Sequence, residues 1–128
     1  MQFTKLLKEK NIDSIFLLSP TSELNRVKLI IEQASGFLYY VSLQGVTGAA
    51  NIDIEQVKSK VGMIRKLTDL PIGVGFGVRD AATAKEVAKI SDAVVVGSRM
   101  VQEIENSNQE NLIQNISKLM QELREAVN

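Results

Sequence analysis

The stretch Phe37-Leu38-Tyr39-Tyr40-Val41-Ser42-Leu43-Gln44-Gly45-Val46-Thr47-Gly48-Ala49-Ala50 sets an apolar run of strand length directly against a glycine-bearing loop. Backbone N–H groups in such a loop can turn inward toward an anion, and the Thr47 hydroxyl adds a donor. An ordinary turn after a strand has the same composition. The pattern repeats downstream, where Gly73-Val74-Gly75-Phe76-Gly77 ends a second apolar run and Gly97-Ser98 ends a third. Three successive strand ends therefore carry glycine where a phosphate could approach the backbone.

Outward from that stretch, strand and helix signals alternate. Phe3, Leu6 and Leu7 fall at helical spacing within Met1 to Lys10, with Asn11 as candidate C-cap. Ile12 to Leu18 is an apolar run of strand length, broken by Ser19-Pro20-Thr21-Ser22, whose hydroxyls suit a helix cap. Leu24, Val27, Ile30, Ile31 and Ala34 then form one helical stripe closed by Gly36. The opening stretch is expected to be a strand over Phe37 to Leu43. Beyond its loop, Asp53 reads as the N-cap of a helix with Ile54, Val57, Val61, Ile64 and Leu67 on one face, ended by Leu70-Pro71. A third strand is expected over Ile72 to Phe76, then a helix capped by Asp80 and carrying Ala84, Val87, Ala88 and Ile90. A fourth strand over Ala93 to Val96 leads to a short helix from Arg99 to Glu105. After the polar break Asn106-Ser107-Asn108, Leu112, Ile116, Leu119, Leu123 and Val127 stripe the final helix.

Composition bounds what such a chain can do. Its 128 residues read as a single domain, residues 1–128, too short for a whole (β/α)8 barrel, which takes at least about 200. Lysine plus arginine and aspartate plus glutamate number 15 each, so no basic excess points to nucleic acid or an anionic membrane. The absence of cysteine and histidine excludes disulfides, thiolate metal sites, a cysteine nucleophile and the commonest general base, and no metal or cofactor is expected. No stretch approaches the roughly 18 apolar residues of a membrane span, and Met1 to Lys10 lacks the core of a signal peptide. The expectation is a cytoplasmic protein acting on a small molecule.

Four βα units with strands apolar on both faces call for an α/β fold, a parallel sheet covered by helices, with glycine loops at the C-terminal strand ends where such sheets bind ligands. A four-stranded flavodoxin-like sandwich and half of a (β/α)8 TIM barrel both satisfy the spacing. A dinucleotide site is excluded, since Gly73 to Gly77 reads GxGxG, falls in the third unit and lacks the acidic ribose reader.

The run beginning at Phe37 (FLYYVSLQGVTGA), with Gly75 to Arg79 (GFGVR) and Val94 to Ser98 (VVVGS), resembles the C-terminal half of the tryptophan synthase alpha subunit family. All four units are similar to strands five to eight of that barrel, and Phe3 to Lys10 to the tail of its fourth helix. The resemblance implies a half-barrel fold. It also implies a role in a lyase that cleaves indole-3-glycerol phosphate to indole and glyceraldehyde 3-phosphate in tryptophan biosynthesis, partnered by a beta subunit. The substrate phosphate would be held by Thr47, Gly48, Gly75, Gly77, Gly97 and Ser98. Ser98 at a helix N-terminus agrees with that role on physical grounds. Tyr39 and Phe76 match positions lining the indole pocket, or serve as core aromatics. Leu43 departs from an arginine of some members.

The family's catalytic glutamate and aspartate belong to the other half of its barrel, so no catalytic residue is expected here. Asp53 and Asp80 read as caps, Asp13 as starting a strand at the end far from the glycines, Asp69 and Asp92 as preceding strands, and Arg79 as a solvated charge. The alternative function is a non-catalytic half-barrel that binds phosphate or assembles. In a half-barrel the strands Ile12 to Leu18 and Ala93 to Val96 lack outer neighbours, and an inner face expected to carry Phe16, Tyr39 and Val95 is uncovered, which favours a homodimer of half-barrels.

Overall fold

The computed structural model describes residues 2–42, 53–75 and 77–128. Their elements run α1 (Gln2–Glu9), β1 (Phe16–Leu18), α2 (Leu24–Gln33), β2 (Leu38–Val41), α3 (Ile54–Arg65), β3 (Ile72–Gly75), α4 (Ala81–Ala88), β4 (Ala93–Val95), α5 (Ser98–Glu105) and α6 (Leu112–Val127). The four strands form one all-parallel sheet in the order β1-β2-β3-β4.

That order decides between the two architectures. Parallel crossovers are right-handed, so strands that always step the same way place every helix on the same face. A flavodoxin-like sheet reverses its stepping once and covers both faces. Here Leu18, Leu38, Tyr40, Ile72 and Val74 project to one side and are buried against Val27 of α2, Val57, Val61 and Ile64 of α3, Ala84 and Val87 of α4, and Leu119 and Leu123 of α6. The opposite face has no helix on it among the described residues, and Leu17 is 62% exposed there. This is the wall of a half-barrel, and the sandwich reading is overturned.

Local chemistry places the element ends. Asn11 takes a left-handed φ of 55°, and the Ile12 N–H bonds to Leu7 O at 2.9 Å while the Asn11 N–H reaches Lys8 O, a Schellman closure of α1. Gly36 turns the chain from α2 into β2 at φ 72°, where a Cβ would stand 2.9 Å from Ile15 Cδ1 and 3.0 Å from Asp13 Cβ. Asp53 and Asp80 are the expected caps, their Oδ1 atoms accepting from Gln56 N at 3.0 Å and Thr83 N at 2.7 Å.

Several expectations need correction. The first strand is three residues rather than Ile12 to Leu18, because the closure of α1 consumes Ile12 and leaves it 53% exposed. Asp13 accordingly lies outside the strand it was expected to begin. Phe16 pairs with Leu38 on the helix-facing side, and Leu17, in register with Tyr39, takes the open face instead. A one-residue offset in a three-residue strand exchanges the faces completely. The hydroxyls of Ser19, Thr21 and Ser22 bond to one another, and Ser22 Oγ accepts from Ser19 N, so none caps α2. Helix α3 ends at Arg65 rather than at Leu70-Pro71, and β2 and β4 end at Val41 and Val95, while Phe76, the expected last residue of β3, lies outside the described residues.

At the N-terminal end of the sheet, Asp92 joins three elements. Its Oδ2 accepts from Ile72 N at 2.8 Å and from Arg65 Nη2 at 2.9 Å, while its own N–H donates to Ile72 O. The Ile72 hydrogen bond, with Arg65 helping, holds the carboxyl below its ordinary 3.8. A folded pKa below the unfolded one stabilises above the unfolded value and is lost as pH falls through the folded one. Asp92→Ala is expected to cost about 1 kcal/mol at neutral pH, held down by the exposure of the side chain. The loss should vanish in acid. Melting temperatures of both proteins from pH 7 to 2 check this, and parallel curves would place the acid sensitivity elsewhere.

Candidate functional site

The site lies along the C-terminal edge of the sheet, where the chain leaves β2, β3 and β4 in turn. Leaving β2, Ser42 is buried, and both its N–H (3.1 Å) and its Oγ–H (2.9 Å) donate to Gly75 O. The residue that follows β2 is thereby tied to the end of β3. Beyond β3, Gly77 adopts φ 81°, a conformation that disfavours any side chain, and Val78 plugs into the core at 2% exposure. Beyond β4, Gly97 is the N-cap of α5, its carbonyl accepting from Met100 and Val101, and nothing lies within 4 Å of where its Cβ would be. Gly97 and Ser98 are exposed, and the first N–H groups of α5 face outward from the helix end, where partial positive charge collects.

Tyr39 and Tyr40 part company at this edge. Tyr40 is fully buried on the helix side, its hydroxyl has no hydrogen-bond partner among the described residues, and burial raises its pKa. It is a core residue that carries a desolvation cost. Tyr39 projects onto the open face and its ring crosses Gly75, so that a Cβ there would stand 2.8 Å from Tyr39 Cζ. Phe37 lies across Gly73 in the same way at ordinary contact distance. The two glycines of β3 make room for two aromatic rings on the inner wall.

Gly75, Gly77, Gly97 and Ser98 thus share one edge of adjacent strands, with Tyr39 on the face beside them. Thr47 and Gly48 lie outside the described residues, as do Leu43 and Phe76. Asp53 and Asp80, at the N-termini of the helices that follow this edge, are engaged as caps, and two hydrogen bonds from Thr83 hold Asp80 below its ordinary value. Asp92 sits at the opposite end. Arg79 is exposed. Sequence reasoning missed Ser42, whose only signal is a hydroxyl closing an apolar strand run.

Fold and edge together define a half-barrel of the (β/α)8 class, with glycine turns along the C-terminal edge of its strands. The family model of the tryptophan synthase alpha chain matches residues 1–128, and the chain belongs to that family. It is 54% identical over 126 residues to the tryptophan synthase alpha chain of Janthinobacterium sp. (strain Marseille), covering 98% of this chain and 48% of that one. Identity to the alpha chain of Thiobacillus denitrificans is also 54%, over 122 residues, 95% of this chain and 45% of the relative. Among solved structures, a tryptophan synthase of Mycobacterium tuberculosis superposes with a TM-score of 0.83 at 35% identity, over 99% of this chain and 46% of that one. The alpha subunit from Legionella pneumophila gives 0.81 at 27% identity, over 98% and 46%. The chain spans about half the length of the curated relatives it matches. No helix among the described residues is long and apolar enough to cross a membrane.

Proposed function

We propose that this chain is the phosphate-binding half of a tryptophan synthase alpha-type lyase, which splits indole-3-glycerol phosphate into indole and glyceraldehyde 3-phosphate. The observation that carries the reading is the convergence of Gly75, Gly77, Gly97 and Ser98 on one edge of adjacent strands, beside the first turn of α5. Backbone donors there need no cation to hold a dianion, which suits a chain of zero net charge. Thr47 and Gly48 follow Ser42, which is bonded to Gly75, and would complete the cradle. Tyr39 would face the indole; Phe76, which matches a family position lining that pocket, lies outside the described residues. The complete protein would act in the cytoplasm with a beta subunit, the pairing that the family name denotes. Titration with glycerol phosphate, followed by amide NMR, is expected to shift Gly48, Gly77 and Gly97 at millimolar ligand and less at high salt. Unmoved resonances at those three glycines would overturn the phosphate reading.

A further inference from the structure

We infer that Ser42 is a positioning residue for the glycine edge: its hydroxyl locks the Gly75 carbonyl and so presets the backbone that leads to the Gly77 turn. Ser42 is 3% exposed and, apart from Tyr40, is the one polar side chain buried among the described residues. A hydroxyl so placed costs free energy unless it is bonded. Its N–H and its Oγ–H both donate to Gly75 O, at 3.1 and 2.9 Å. The N–H bond continues the parallel ladder one step past the pair Val41 and Gly75. The Oγ–H bond is additional to the ladder and occupies the second lone pair of the same carbonyl.

Both strands are internal to the sheet, β2 lying between β1 and β3, and β3 between β2 and β4. The segment that leaves β3 is loose by composition, because neither Gly75 nor Gly77 has a Cβ to restrict its dihedrals. A peptide group is planar, so a carbonyl held by two donors fixes the plane of the whole unit that follows Gly75. The turn at Gly77, with φ 81°, then starts from one defined direction. Backbone donors hold an anion more tightly when they are ordered beforehand, since the cost of ordering them is not subtracted from the binding. The role rests on the phosphate reading of this edge and concerns how tightly the anion is held. A hydroxyl that merely closed the strand pair would act on stability alone.

Titration of the full chain with glycerol phosphate, followed by amide NMR, separates the two roles. Ser42→Ala removes the Oγ–H bond and keeps the N–H bond. Its dissociation constant is expected to rise about fivefold, the factor that one ordinary hydrogen bond is worth, and the Gly77 amide should be displaced already in the free variant. Asp92→Ala gives up hydrogen bonds from Ile72 N and Arg65 at the opposite end of the sheet, and should bind as the unsubstituted chain does. Far-ultraviolet circular dichroism establishes that each variant is folded. Ser42→Cys, close in size and only a weak donor, should weaken binding in the same direction, and it carries the test where the alanine variant does not fold. No response from the unsubstituted chain would overturn the phosphate reading, and this role with it. Binding by the unsubstituted chain with an unchanged constant in the Ser42 variants, or equal losses in Ser42→Ala and Asp92→Ala, would overturn the positioning role alone.

Discussion

Replacing Gly75 with valine is expected to cost the fold about 2–3 kcal/mol and to drive the Tyr39 ring off the inner wall. Gly75 is paired on both sides, to Val41 and to Val95, so its backbone cannot retreat without loosening two ladders. A Cβ at that position would stand 2.8 Å from Tyr39 Cζ and 3.0 Å from Cε2, closer than real side-chain carbons approach, and valine adds two more methyls. Tyr39 is only half-buried, so its ring can rotate outward and relieve part of the clash, which caps the cost. In the double variant Gly75→Val, Tyr39→Ala most of the loss should return as a coupling energy between contacting residues. Denaturant midpoints of the four chains measure this. An equal cost of Gly75→Val with and without the ring would show that Tyr39 is not what the glycine accommodates. Gly73→Ala provides the contrast: its Cβ would lie 3.5 Å from the Phe37 ring and 3.7 Å from Ala93 Cβ, ordinary contacts, so the change should stay within about 0.5 kcal/mol of neutral.

What was legible in the sequence is what short-range chemistry decides. Asn11, Gly36, Asp53 and Asp80 each act within a few residues of themselves, and each sits where its side chain, or the lack of one, suggests. The glycine edge was legible for the same reason, since a turn after a strand is a local demand. Long-range pairing hid the rest. The face taken by Phe16 depends on its register with Leu38, and a three-residue strand offers too little alternation to fix it. Asp92 stays a plain strand-flanking acid until α3 and β3 bring Arg65 and the Ile72 N–H to it across 27 and 20 positions. Ser42 and Tyr39 acquire their meaning only from β3 lying alongside, where one bonds Gly75 O and the other crosses its Cα. The barrel-like course of the sheet came from strand order, which spacing does not encode.

The 128 residues alone are expected to release no indole from indole-3-glycerol phosphate above background, and to do so once the half bearing the family's glutamate and aspartate is supplied. Carbon–carbon cleavage of this kind needs a proton delivered to the indole ring carbon and another taken from the hydroxyl that becomes the aldehyde. Each such transfer contributes about 10²–10⁴-fold when a positioned side chain performs it. The chain has neither histidine nor cysteine to offer. Of its described carboxylates, Asp80 caps the helix that follows the C-terminal end of β3, and its Thr83 hydrogen bonds hold its pKa below the ordinary carboxylate value, so it has no proton to give at neutral pH. Asp53 is bound to Gln56, and Asp92 is fastened at the far end of the sheet. On the proposed phosphate reading, binding without turnover is the expected outcome, since none of the described carboxylates is placed to move the two protons. A steady-state indole assay on the purified chain, alone and mixed with the N-terminal half of a family relative, separates the possibilities. Indole release by the chain alone that disappears on Asp80→Ala would make that aspartate a proton carrier rather than a cap. No release from the mixture, with phosphate still bound, would confine the chain to a binding role, because docking of the catalytic wall is the one step that the experiment adds.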